Sequence, residues 1–145
     1  MLAFNSARAQ AEDRVRGIEA SSVAHRIAAA IVEVQAFVDG RATTTTTSEI
    51  RLVLDLPESF ENHGYSIDLC TLNQATGKCP ASTACGVSSG ATTVRVTAGS
   101  SVAIESLLGV TAIHSCVSGG PVAIQLVPVS PATNPPTYTI SLVTA

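Results

Sequence analysis

Between Phe4 and Val38 apolar residues return every three or four positions, and beyond Ile50 they return every second one. That change of period most constrains the fold, because one stretch can only bury its apolar residues as a helix and the other only as strands. The first series runs Phe4, Ala7, Ala11, Val15, Ile18, Val23, Ile27, Ile31, Val34 and Val38, with a single step of five between Ile18 and Val23. Alanine dominates and proline is absent, so propensity agrees with the period, and only Gly17 weakens it, by about 1 kcal/mol relative to Ala. The segment is charged around Glu12-Asp13-Arg14-Val15-Arg16 and apolar nearly all round from Ile27 to Val38. The second half is therefore predicted to be buried on more than one side. Asp39-Gly40 is its expected stop, with glycine in the left-handed position.

The rest of the chain reads as short strands. Ile50, Leu52, Leu54 and Leu56 alternate with polar residues until Pro57, and Tyr65, Ile67 and Leu69 begin a second alternating run after a turn at 61–64. Further strands are expected at 92–97, 101–107, 110–117, 122–129 and 137–143, separated by glycine- and proline-bearing turns. Pro128 marks its strand as an edge or a bulge. The five threonines 43–47 read as an extended linker, and 73–90 as an irregular loop. The expected architecture is α+β, mainly β. A long N-terminal helix (1–40) precedes a head domain (41–145) built as an antiparallel immunoglobulin-like β-sandwich of about seven strands.

Eight Lys and Arg face eleven Asp and Glu, a net charge of −3, and charged residues are only 13% of the chain. No basic patch is available to neutralise phosphates, so nucleic acid is not an expected partner. The Thr/Ser-rich composition suits a secreted or cell-surface protein. Cys70, Cys79, Cys85 and Cys116 all fall in the β region, an even count that fits two disulfides and an oxidising compartment. Three pairings exist; Cys79–Cys85 closing a small loop and Cys70–Cys116 tying two strands is the favoured one. A zinc site is the rival reading, but the cysteine spacings lack paired knuckles. Reduced thiols are the other.

Candidate chemistry is thin. Gly86-Val87-Ser88-Ser89-Gly90 matches the G-x-S-x-G nucleophile elbow but lacks the strand-to-helix context that motif needs. Residues 110–116, ending Ile113-His114-Ser115-Cys116, and Ser118-Gly119-Gly120-Pro121 echo the histidine and serine motifs of chymotrypsin-like proteases. They lie only a few residues apart, with no aspartate between them. His25, His63 and His114 have no second ligand at metal spacing, and Asp55, Glu58, Glu61 and Asp68 read as a solvated acidic group. No catalytic residue, metal or cofactor is expected.

The segment 24–31, Ala24-His25-Arg26-Ile27-Ala28-Ala29-Ala30-Ile31, is followed by the glycine stop, a strand ending Leu56-Pro57, and then Gly64-Tyr65-Ser66-Ile67. That order of parts resembles archaeal type IV pilin-like proteins, including archaellum accessory subunits, over about the first half of the chain. The resemblance implies a non-enzymatic extracellular structural or adhesion subunit of a filament, or its envelope anchor. It implies that Ile27, Ile31, Val34 and Val38 pack the helix on its head or on a neighbouring subunit. It also implies protein partners, through self-assembly or with surface-layer or filament subunits, a homo-oligomer being one expected form. The implied place is the cell surface, with a membrane anchor in the full-length form. No signal peptide and no run of ~18 apolar residues is visible, so that anchor is expected upstream of Met1. The alternative is a secreted β-sandwich module that binds carbohydrate or a surface-layer protein through the loop 73–90.

Overall fold

The computed structural model describes residues 2–39, 50–60, 62–73, 75–76, 89–128 and 138–145, without the side chains at 2–9, 13, 38, 39, 89 and 128. Its first element is a single helix, α1 (Leu2–Asp39), 38 residues long. At 1.5 Å per residue that is about 57 Å. Neither terminal turn offers charge against the helix dipole, acidic at the start or basic at the end. Packing must therefore hold it. Ala20, Ala24, Ile27, Ile31 and Val34 are buried at steps of three and four with Val23 beside them, while Arg14, Val15 and Ile18 are exposed.

Nine strands follow among the described residues, in three antiparallel sheets. They are β1 (Ile50–Leu54), β2 (Ser66–Cys70), β3 (Ser89–Ala91), β4 (Thr93–Ala98), β5 (Ser101–Ser106), β6 (Ala112–Ile113), β7 (Ser115–Ser118), β8 (Val122–Pro128) and β9 (Tyr138–Thr144). The sheet orders are β5-β4-β2-β7, β1-β8-β9 and β3-β6. The protein is thus mainly β with one helix. Three details differ from the sequence expectation. The strand expected over 110–117 is two strands, β6 and β7, broken at His114, and Ser89–Ala91 forms β3 inside the expected loop. Strand β8 is central rather than an edge. Among the described residues β1 pairs with β8 from Val122 to Leu126, and Pro128 closes the strand beyond that ladder, paired with Tyr138 of β9.

Register decides what each face of the four-stranded sheet does. Ile67 opposes Val96 and Leu69 opposes Val94, and all four side chains are fully buried. Glu105 opposes Val94 on the same face, and its carboxylate lies 3.7 Å from His25 of α1. The helix therefore covers this face, packing on β4 and β5. The three-stranded sheet closes the rest of it. Leu142 N–H of β9 donates to Ser115 Oγ of β7 at 3.1 Å, and Ile124, Leu126, Ile140 and Leu142 join the same continuous core.

The opposite face is polar. There Asp68 opposes Arg95, and their ion pair, 2.5 Å long, is nearly buried, with 11% and 15% of the two side chains exposed. Directly opposed charges are the favourable cross-strand arrangement. Taking either partner away would strand a buried charge, at a cost of about 3–5 kcal/mol.

The end of the head is set by Tyr65. Its ring stacks on Phe60, with centroids 4.0 Å apart and planes 6° from parallel. Its hydroxyl donates to Pro57 O, and Gly119 N–H donates to its carbonyl at 2.8 Å. Gly119 runs so close over the ring that a Cβ there would sit 2.4 Å from a ring carbon. The expected consequence is that Gly119→Ala destabilises the fold by about 1–3 kcal/mol, because the ring cannot retreat from its stack. Urea unfolding measures it, and an unchanged midpoint would refute the packing described.

Burial raises the Tyr65 pKa above 10.0, with the Gly120 N–H and the Arg26 charge offsetting only part of it. A raised folded value means the stabilisation is complete below the unfolded pKa and is lost as pH climbs toward the folded one. Stability should therefore fall as pH rises above about 10, and Tyr65→Phe should lack that alkaline step in pH-dependent urea melts.

Candidate interaction surface

Ile27 and Ile31 are fully buried and Val34 nearly so, in the same core as Val94 and Val96. Of the two roles expected for these positions, they take the first, holding the helix to its own head. The side chain of Val38 lies outside the described residues. The packed part of α1 runs from Ala20 to Val34, and its direction follows from two contacts. Arg16 Nη1 approaches Gly99 in the β4–β5 turn, and His25 approaches Glu105 near the end of β5. The helix thus ascends alongside β5 and passes the edge of the head near Arg16. The residues before it extend about 21 Å farther.

This leaves α1 with two different solvent faces. The extension carries Arg14, Val15 and Ile18, the last 71% exposed. Above it, between α1 and the rim of the head, runs a mostly apolar groove of about 300 Å³. Ala28, Ala29, Val32 and Ala36 form its helical wall, with Ser106 and Leu108 opposite. Leu108 is 77% exposed and adopts φ 51°, in a turn closed by Val110 N–H donating to Leu107 O at 3.1 Å. A branched apolar residue pays in strain to stand there, left-handed and in water. A second cleft, about 610 Å³, lies between β7 and β9, the adjoining edges of the two larger sheets.

The residues with catalytic echoes do not converge. His114 Nε2 lies 2.7 Å from Thr71 Oγ1, and that hydroxyl donates to Gly90 O at 3.0 Å. With its one proton committed to a carbonyl, the threonine accepts from the histidine, the reverse of a base activating a nucleophile. Ser118 is four residues from His114 along the chain, with β7 between them, about 13 Å at strand spacing. Ser88, at the centre of G-x-S-x-G, lies outside the described residues. The acidic group does not assemble either. Asp68 is buried against Arg95 rather than solvated with Asp55 and Glu58, and Glu61 lies outside the described residues. Among the described residues no three His, Cys, Asp or Glu come together as a metal site, and no helix is long and apolar enough to cross a membrane.

Two features escaped the sequence reading. The Asp68–Arg95 pair is visible only once β2 and β4 are set in register. The solvent face of α1 was merged with its buried face into one apolar series.

Cys70 and Cys116 are both disulfide-bonded, and no described cysteine is a free thiol. They lie on one face of neighbouring strands, Cys116 opposing Asp68, two residues from Cys70. Cys79 and Cys85 lie outside the described residues, and the expected pairing of all four rests on the sequence alone. Unreduced protein in denaturant should show no thiol reactive to Ellman's reagent, and all four cysteines after reduction. Reduction should also lower stability by about 2–4 kcal/mol per bridge. No protein-family model, no curated protein and no solved structure matches this chain.

Proposed function

We propose that this chain is a non-enzymatic extracellular subunit of an archaeal type IV pilus-like filament, or of the anchor that ties such a filament to the envelope. One observation carries the reading: among the described residues α1 meets its β head from Arg16 onward and is packed on it from Ala20 to Val34, while the turns before Arg16 continue the helix as a stalk. A helix with no task beyond closing its own core would have no use for that length. On this reading the sheets β1-β8-β9 and β5-β4-β2-β7 are the two leaves of an immunoglobulin-like sandwich. Their shared core and the Ser115–Leu142 bond support that assignment. The disulfides at Cys70 and Cys116 suit an oxidising exterior. A hydrophobic segment preceding the stalk would anchor the full-length form.

The test has two arms. The coding sequence upstream of Met1 should encode a short basic leader followed by about 20 apolar residues. Immunogold labelling of intact cells should then place the head on filaments or on the envelope. A full-length protein without such a segment, recovered in the cytosol, would sink the proposal.

A further inference from the structure

Both Cys70 and Cys116 are disulfide-bonded, and the sheet fixes how far apart they stand. Cys116 of β7 opposes Asp68 of β2, while Cys70 is two residues farther along β2, where it opposes Thr93 of β4. The two cysteines are therefore diagonal neighbours, one strand over and two residues along. Diagonal neighbours in an antiparallel pair have Cα atoms about 7–8 Å apart. A disulfide spans Cα separations of about 4.4–6.8 Å, and beyond about 7 Å the backbone has to move to close one. The ladder makes no such move, since it keeps register from Ser66 opposite Ser118 to Leu69 opposite Ser115.

The sulfur of Cys70 adds a direction. Strand β2 has β4 on one side and β7 on the other. Cys70 Sγ lies 3.7 Å from Thr93 O of β4, in a buried position, so it is turned away from β7. Cys116 stands across the other side of β2, exposed, on the strand that borders the cleft with β9. Distance and direction agree.

We propose that Cys70 and Cys116 are not bonded to each other, and that each is bonded to one of Cys79 and Cys85. Elimination supplies the partners. The chain has four cysteines, and two that are bonded, but not to each other, take the remaining two. The chain re-enters the head close by, because Ser89 of β3 opposes Ile113, three residues ahead of Cys116. The stretch between β2 and β3 is then fastened to two adjacent strands. The pairing expected from the sequence, Cys79 with Cys85, would tie it to neither. This connectivity stands apart from the filament reading, since an upstream apolar segment bears on that reading and not on which sulfurs are joined.

Trypsin digestion without reductant, after free thiols are blocked with N-ethylmaleimide at mildly acidic pH, separates the pairings by mass. Cleavage at Arg51, Lys78 and Arg95 yields 52–78 with Cys70, 79–95 with Cys79 and Cys85, and 96–145 with Cys116. The expected product is all three peptides joined in one species, which reduction releases as three. Peptide 52–78 joined only to 96–145, with 79–95 separate, overturns the proposal. So does N-ethylmaleimide on any of the four cysteines, or a covalent dimer of the chain on a non-reducing gel. Cys79→Ser combined with Cys85→Ser should leave both Cys70 and Cys116 reactive to Ellman's reagent in denaturant. A bond between them in that variant would show that the two sulfurs do meet, and overturns the proposal as well.

Discussion

Ile27 and Ile31 of α1 share a fully buried core with Val94 and Val96 of β4 and with Ile67 and Leu69 of β2, and the rest of the molecule depends on that contact. A four-stranded sheet this short, standing alone, would leave two apolar strands facing water. The helix covers the half formed by β4 and β5, and the three-stranded sheet covers the half nearer β7. Neither cover suffices alone. A fully buried Ile contributes about 1.5–3 kcal/mol, so the two isoleucines outweigh the weakness that Gly17 and the bare termini give the helix.

Burial on one face has let the other face of the sheet be polar at little cost. Asp68 and Arg95 neutralise each other directly across two strands, and Thr93 is buried beside them. An apolar pair of similar volume would serve stability as well or better. What the charged pair adds is register. A shift of β4 by one residue against β2 would bury Arg95 on the apolar face and separate it from Asp68. The disulfides at Cys70 and Cys116 hold the same polar face, so covalent and electrostatic constraints act on the side that hydrophobic packing leaves least specified.

Period made most of this legible. The steps of three and four from Phe4 to Val38 placed α1 within two residues of its observed ends, and the strand patterns found β1, β2, β4, β5, β8 and β9 within two residues. The misreadings have physical causes. The break between β6 and β7 falls at His114, whose Nε2 lies 2.7 Å from Thr71 Oγ1, a long-range contact that no local pattern encodes. Pro128 read as an edge because sequence shows a missing donor but not that β8 lies between β1 and β9. Asp68 read as surface because its partner lies 27 residues away.

The most instructive case is the step of five from Ile18 to Val23. Steps of three and four keep an apolar line on one face, whereas five residues turn it by about 140°. Counted as a lapse in one series, it is the point where the series changes face. Ala11, Val15 and Ile18 belong to the outer stripe, and Val23, Ile27, Ile31 and Val34 to the inner one. The change of face falls just above Arg16, where the helix clears the head. Val15 and Ile18, near that level, are exposed rather than part of the core of the described residues. The apolar line therefore addresses the head from Ala20 onward, and the step of five is where it turns onto that side of the helix.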